Sequence, residues 1–245
     1  MKIEKIFFKN SKGQKLAGEL WTPAKFKYTI ILVNGIGNTK ELWEKEADSW
    51  PAKLAEKGYR VLIFDSRGRG ESEGEFIETT LTTNIDDLKS VINFLNSPVI
   101  LVGQSFGGTT AICVAAIDKK IKCLVTRAAA YNLDEWTNGK RLAEAKKKGY
   151  TIGSEPWKKY TLELFEDMRR HKVLDVAKKV KVPWLILHGD KDTNVPLHHA
   201  KDFYAAAKCE KKLAIIKGAD HSFSSKEADS EVFALIVDWL KRMMK

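Results

Sequence analysis

Ser105 sits in the pentapeptide Gly103-Gln104-Ser105-Phe106-Gly107, followed by Gly108. A serine hydroxyl attacks a carbonyl carbon only when a base takes its proton, and that base works best with a carboxylate holding its tautomer and stabilising its cation. The chain offers five histidines, His171, His188, His198, His199 and His221. His221 is the candidate base. It lies in Gly218-Ala219-Asp220-His221, directly after an apolar strand, where loop residues on a rigid scaffold carry function. His188 ends an apolar run and is expected to face the core or a turn. His171, within Arg169-Arg170-His171-Lys172, reads as part of a solvated face. His198 and His199 open a helix, and as adjacent residues they are expected to point apart and not to share a metal. For the orienting acid, Asp190 and Asp192 both follow a strand in His188-Gly189-Asp190-Lys191-Asp192. Asp192, two residues further into the loop, is the choice, and Asp190 is expected to cap the turn.

These side chains need a scaffold that brings them to one edge. Apolar runs over residues 3–8, 16–21, 28–33, 59–64, 99–102, 121–125, 184–188 and 213–216 read as strands, several of them apolar throughout as in a sheet buried on both faces. Between them, residues 43–56, 81–96, 107–117, 198–208 and 227–243 carry apolar residues at helical spacing. Strand then helix, repeated, implies a mostly parallel sheet with helices on both faces, and the Asn10-Ser11-Lys12-Gly13 turn makes the first two strands an antiparallel edge. Ser105 falls where a strand hands over to a helix. That sharp turn strains the serine backbone, needs small neighbours at 103 and 107, and aims the Phe106 N–H at any anion formed there.

With 245 residues, 44% hydrophobic, 10% aromatic and 30% charged, the chain can bury a large core, which excludes intrinsic disorder. No apolar run approaches a membrane span, and the mixed charges of the first six residues lack a signal-peptide core, so a cytoplasmic protein is expected. Cys113, Cys123 and Cys209 are too few and scattered for a disulfide framework, and none has a partner at metal-ligand spacing. No metal and no cofactor is expected. The net charge of +10 is uneven: residues 140–181 hold 13 basic and 6 acidic residues, a net +7. Residues 130–181 also break the strand–helix rhythm.

Together these motifs resemble the α/β-hydrolase superfamily over essentially the whole chain. The matching stretches are Val33-Asn34-Gly35-Ile36-Gly37, Phe64-Asp65-Ser66-Arg67-Gly68-Arg69-Gly70-Glu71-Ser72, Gly103-Gln104-Ser105-Phe106-Gly107-Gly108, His188-Gly189-Asp190-Lys191-Asp192 with Val195-Pro196, and Gly218-Ala219-Asp220-His221. The chain order Ser105, Asp192, His221 is the order this architecture requires. Within the superfamily the likeness is to small-lidded carboxylesterases of the feruloyl (cinnamoyl) esterase kind and to the serine-aminopeptidase-like group. The resemblance implies an α/β-hydrolase fold with an eight-stranded sheet, a core of residues 1–129 and 182–245, and an inserted cap at 130–181. It implies an oxyanion hole from the Ile36 and Phe106 N–H groups. It also implies a small-molecule ester as substrate, cleaved through an acyl-enzyme; the aromatic residues of 130–181 suggest a cap with an apolar underside, and an aromatic or short acyl group is expected to lie beneath Trp136, Trp157 and Tyr160. Asn34 departs from the histidine that many relatives carry. A serine at 105 argues against the relatives that use cysteine or aspartate there.

Three other readings stand beside the esterase. An aminopeptidase of the same fold would want a negative pocket for a free amino group, and the cap is positive. A purely ligand-binding member of the fold would not need all three triad groups. Nucleic-acid binding is prompted by the charge, but the basic residues lie in one insertion with no recognition motif. Whether the basic cap attracts anionic substrates or is only a solvated surface stays open at this level, as does the oligomeric state; a homo-oligomer is compatible with the sequence.

Overall fold

The computed structural model describes residues 1–45, 49–95, 97–137 and 139–244. Its strands are β1 (Lys2–Lys9), β2 (Lys15–Thr22), β3 (Thr29–Val33), β4 (Arg60–Phe64), β5 (Val99–Gln104), β6 (Ile121–Arg127), β7 (Tyr150–Ile152), β8 (Lys159–Thr161), β9 (Trp184–Gly189) and β10 (Lys211–Ile216). Its α-helices are α1 (Leu42–Lys45), α2 (Trp50–Glu56), α3 (Leu81–Leu95), α4 (Phe106–Ala115), α5 (Lys140–Lys148), α6 (Leu162–His171), α7 (Val173–Ala177), α8 (His198–Ala206) and α9 (Lys226–Met243).

Eight strands make one sheet in the order β1-β2-β4-β3-β5-β6-β9-β10. β1 pairs antiparallel with β2 and β2 antiparallel with β4; every other pairing is parallel. Because side chains alternate across a strand, each central strand feeds two cores. Ile31, Val33, Leu62 and Leu101 pack under α3 and α4, whereas Ile30, Leu32, Ile63 and Val102 pack under α2 and α9. This is why the strands are apolar at every position: both faces are covered. The parallel strands all run the same way, so the loops that leave β3, β5, β9 and β10 meet at a single edge of the sheet.

One local difference from the sequence pattern has a physical cause. The helix expected over 43–56 is divided into α1 and α2, with 46–48 outside the described residues. Pro51 has no N–H to give and occupies the first turn of α2, where none is needed, and Ser49 accepts the Ala52 N–H as its cap. The helix expected over 81–96 is α3, described through Leu95; residue 96 lies outside the described residues.

Residues 130–181 fold into α5, the antiparallel pair β7–β8, α6 and α7. α5 packs on β7 and α6, and α6 leans on α3, while α7 lies in the helical layer beside α4 and α8. Among the described residues no helix is long and apolar enough to cross a membrane.

Candidate active site

β5 ends at Gln104 and α4 begins at Phe106, leaving Ser105 alone to make the turn, with φ 52° and ψ −122°. A non-glycine residue in that region carries strain of about 1–3 kcal/mol, held by its surroundings. The Ser105 N–H donates to the Arg127 carbonyl at 2.7 Å, pinning the turn to the end of β6. The glycines at 103 and 107 serve close approach. A Cβ on Gly107 would stand 2.3 Å from the Val33 carbonyl oxygen and 2.4 Å from that of Asn34. A Cβ on Gly103 would stand 2.5 Å from the Gly107 oxygen.

His221 follows β10 and reaches Ser105 across the edge. Its Nε2 is 3.0 Å from Ser105 Oγ, and its Nδ1 is 2.7 Å from Asp192 Oδ2. A carboxylate only accepts, so Nδ1 carries the proton and Nε2 is free to take one from the serine. The Asp192 side chain is wholly buried. Burial pushes its carboxyl up. The donors from His188 and His221, the charge of His221 and the Val195 N–H together outweigh that and hold it well below the ordinary carboxylate range. Its Oδ1 accepts the N–H groups of Asn194 and Val195 at 2.8 and 2.9 Å. The cap expected of Asp190 is therefore made by Asp192 itself. Asp190 instead reaches across to the Gly218 N–H at 2.6 Å, tying the acid's loop to the loop of His221.

Ile36 and Phe106 both bracket Ser105: Ile36 lines the same cavity, and Phe106 opens α4. Among the described residues neither N–H has a protein acceptor. The cavity over Ser105 and His221 measures about 190 Å³, with Ile36, Asn38, Leu42, Trp136 and Asn194 among its walls. Of the three aromatic residues expected to contact substrate, Trp136 lies in this wall. Tyr160 is buried edge-on between Phe76 and Trp136, with its hydroxyl against Gly37. Trp157 is half-exposed and packs edge-on against Phe76.

Several supports of the site escaped the sequence reading. Gln104 donates its side-chain amide to the His221 carbonyl at 2.9 Å. The Arg127 guanidinium, fully buried, lies 4.5 Å from the Trp50 ring and 5.2 Å from the rings of Trp43 and Phe223. Phe223, two residues past His221, has φ 56°, so this cation beneath its ring holds a strained loop in place. The Asp65 motif is scaffold: buried Asp65 accepts the Lys40 N–H and pairs with its ammonium, and Arg67 pairs with Asp86 and Asp87. The amino-acid types signal ion pairs, but only the fold shows which carboxylate each cation meets.

His198 and His199 do not diverge. Their ring centroids are 4.5 Å apart, and both face Glu135, because the segment before α5 folds over the start of α8. The ligand atoms of the three groups lie within 4.8 Å of one another, close enough to gather a cation. The chemistry of His199 opposes it: its Nδ1 accepts the Tyr131 N–H at 3.1 Å, so Nε2 must keep its proton, whereas a ligating imidazole donates from its other nitrogen. His171 is not simply solvated either, since its Nε2 lies 2.8 Å from Thr82 Oγ1.

A parallel sheet with a strained serine at a strand-to-helix turn, and a histidine and carboxylate delivered by later loops at the same edge, defines a hydrolase of the α/β-hydrolase class. Residues 46–245 match the model of the prolyl oligopeptidase family, and the chain belongs to that family. The uncharacterised protein YfhR of Salmonella typhimurium is 30% identical over 214 residues, covering 82% of this chain and 67% of its own length. The chain spans about two thirds of the length of the YfhR proteins it matches. Among solved structures, Est1E from Butyrivibrio proteoclasticus with ferulic acid bound has a TM-score of 0.82 at 20% identity, covering 98% of this chain and 99% of that one. The Pyrococcus furiosus esterase Pf2001 has a TM-score of 0.78 at 25% identity, covering 100% and 92%.

Proposed function

We propose that the protein is a carboxylesterase-type serine hydrolase acting through an acyl-enzyme on Ser105. The observation that carries this reading is the unbroken relay from Asp192 Oδ2 to His221 Nδ1 at 2.7 Å and from His221 Nε2 to Ser105 Oγ at 3.0 Å. As Ser105 Oγ bonds to the ester carbonyl carbon, its proton passes to His221 Nε2, and the carbonyl electron pair moves onto oxygen. The N–H groups of Ile36 and Phe106 receive that oxyanion; each such donor stabilises the transition state by roughly 3 kcal/mol. The C–O bond to the leaving alcohol then breaks, and His221 returns its proton to the alcohol oxygen. Water, deprotonated by the same nitrogen, releases the acid and restores Ser105. Asp192 stays ionised throughout and stabilises the imidazolium.

Residues 130–181 act in this proposal as a cap, contributing Trp136 directly and Trp157 and Tyr160 around it. A cavity of about 190 Å³ favours a short acyl group or one flat ring beside Trp136 over a long chain. The similarity to Est1E, whose structure holds ferulic acid, supports the aromatic option. Membership of the prolyl oligopeptidase family favours a second reading, cleavage of amides by the same relay. The test is a panel of nitrophenyl acetate, butyrate and laurate, methyl ferulate and amino-acid anilides, with Ser105→Ala as the blank. Short or cinnamoyl esters are expected to turn over fastest, and Ser105→Ala to lose about 10³-fold or more in kcat. Faster anilide cleavage would support the amidase, and equal rates for wild type and blank would leave a binding role.

A further inference from the structure

We propose that His188 is a positioning residue for the triad acid, its Nε2–H bonded to the Val195 carbonyl and held against Asp192 Oδ2. The inference rests on the proposed relay and extends it by one residue, on β9, that the relay itself does not use.

His188 is wholly buried, one residue before the end of β9. Its Nε2 lies 2.9 Å from the Val195 carbonyl oxygen and 3.3 Å from Asp192 Oδ2. A carbonyl oxygen can only accept, so the proton is on Nε2, bonded to that carbonyl and held against the carboxylate. His188 Nδ1, also buried, has no protein partner among the described residues. The ring therefore presents its single proton to the acid loop and nothing else.

The consequence for Asp192 follows from counting donors. Oδ1 accepts the Asn194 and Val195 N–H groups, and Oδ2 accepts His221 Nδ1–H and lies 3.3 Å from His188 Nε2, whose proton goes to the Val195 carbonyl. Val195 is thereby fixed at both ends, its N–H on Asp192 and its C=O on His188. The loop 192–195 can neither rotate the carboxylate nor open without breaking one of these bonds. His188 also moderates the acid. A neutral N–H held against Oδ2 draws electron density from the oxygen that faces His221, so the carboxylate is firmly placed without over-stabilising the imidazolium. The titratable groups that face this carboxylate are His188, His221 and, from α8, His199, which burial holds neutral with a pKa lowered to about 3.

The experiment compares His188→Gln with His188→Met. The two side chains have the same length, and only Gln can place an N–H where Nε2 stood. The Met variant is expected to lose about 10- to 100-fold in kcat on a short nitrophenyl ester with KM within about 2-fold, the scale of a misplaced catalytic group. Its acid limb of kcat/KM is expected to move to higher pH, because Asp192 without the donor is more basic and holds the imidazolium longer. The Gln variant is expected to keep both close to wild type. Equal losses in the two variants with an unmoved limb would overturn the proposal, since a merely structural histidine predicts that pattern. Should the Met variant not fold, nitrogen NMR of the wild-type imidazoles decides: His188 must show Nε2–H and bare Nδ1 across the active pH range, and an Nδ1–H form would overturn it. Ser105→Ala separates the two levels. If that variant retains turnover, the relay itself is wrong; if it is inactive while Met matches Gln, only the role of His188 falls.

Discussion

Each ionisable side chain near Ser105 is tuned by what surrounds it, and His199 shows this most clearly. Burial first, then the neighbouring rings of His198 and His188, lower its pKa to about 3. The unfolded chain takes up this proton near an ordinary histidine value of about 6.5. Between those limits the unfolded state binds more protons than the folded state, so stability rises with pH and falls as the solution is acidified. From about pH 6.5 to 5 the expected loss is about 2 kcal/mol from this one group. His199→Asn keeps an oxygen to accept the Tyr131 N–H but removes the titration. The variant is expected to be less stable at neutral pH, having lost the ring packed on Tyr131, yet to show a smaller drop in urea midpoint between pH 6.5 and 5. An unchanged drop would mean that His199 charges readily in the folded state. At this scale Ser105, Asp192 and His221, whose side chains the fold brings together, were legible as candidates, because each follows a strand. His188 and His199 were legible only as buried or helical residues. Their roles depend on a carbonyl at Val195 and an N–H at Tyr131, which no local pattern encodes.

Among the elements, the decisive contact is the crossing of β3 and α4. The helix starts so close to the strand that Gly107 touches the carbonyls of Val33 and Asn34. That contact sets the spacing between the turn bearing Ser105 and the loop bearing Ile36, and so the width of the proposed oxyanion site. Gly107→Ala must push the helix away by a sizeable fraction of an ångström. The expected result is a destabilisation of about 1–3 kcal/mol, read as a lower thermal midpoint. A fall in kcat larger than the fall in folded fraction should accompany it, because the two N–H groups no longer converge. A loss of stability alone would show that the loop follows the helix. The eight strands and α3, α4, α8 and α9 were readable because apolar runs mark the strands and apolar residues at helical spacing mark the helices. The strands β7 and β8, three residues each, are too short to show a period, and α5 is mostly lysine and alanine; both gain their place from packing on α6 and Trp136 rather than from local preference.

Taken over the whole molecule, charge is concentrated in one segment, and only part of that segment lies beside the site. Residues 140–181 supply +7 of the net +10. Part of that charge is paired at the surface, as in Arg169 with Asp134 and Lys178 with Asp175, and such exposed pairs contribute little. Other cations stand by the site. The Arg141 guanidinium lies 4.5 Å from the Trp136 ring that walls the cavity, and the Lys158 stem packs against Gly37 in the Ile36 loop. A single-signed rim raises the local concentration of anions and is screened over about 10 Å at 0.1 M salt. Two esters of equal size, one neutral and one carrying a carboxylate, therefore separate the two readings of the basic segment. If the rim steers substrates, kcat/KM for the anionic ester falls several-fold between low and moderate salt while that of the neutral ester is flat, and Arg141→Gln reduces the slope without abolishing turnover. If both esters respond alike, the lysines and arginines of this segment serve solubility, and selection rests on the shape of the cavity beside Trp136.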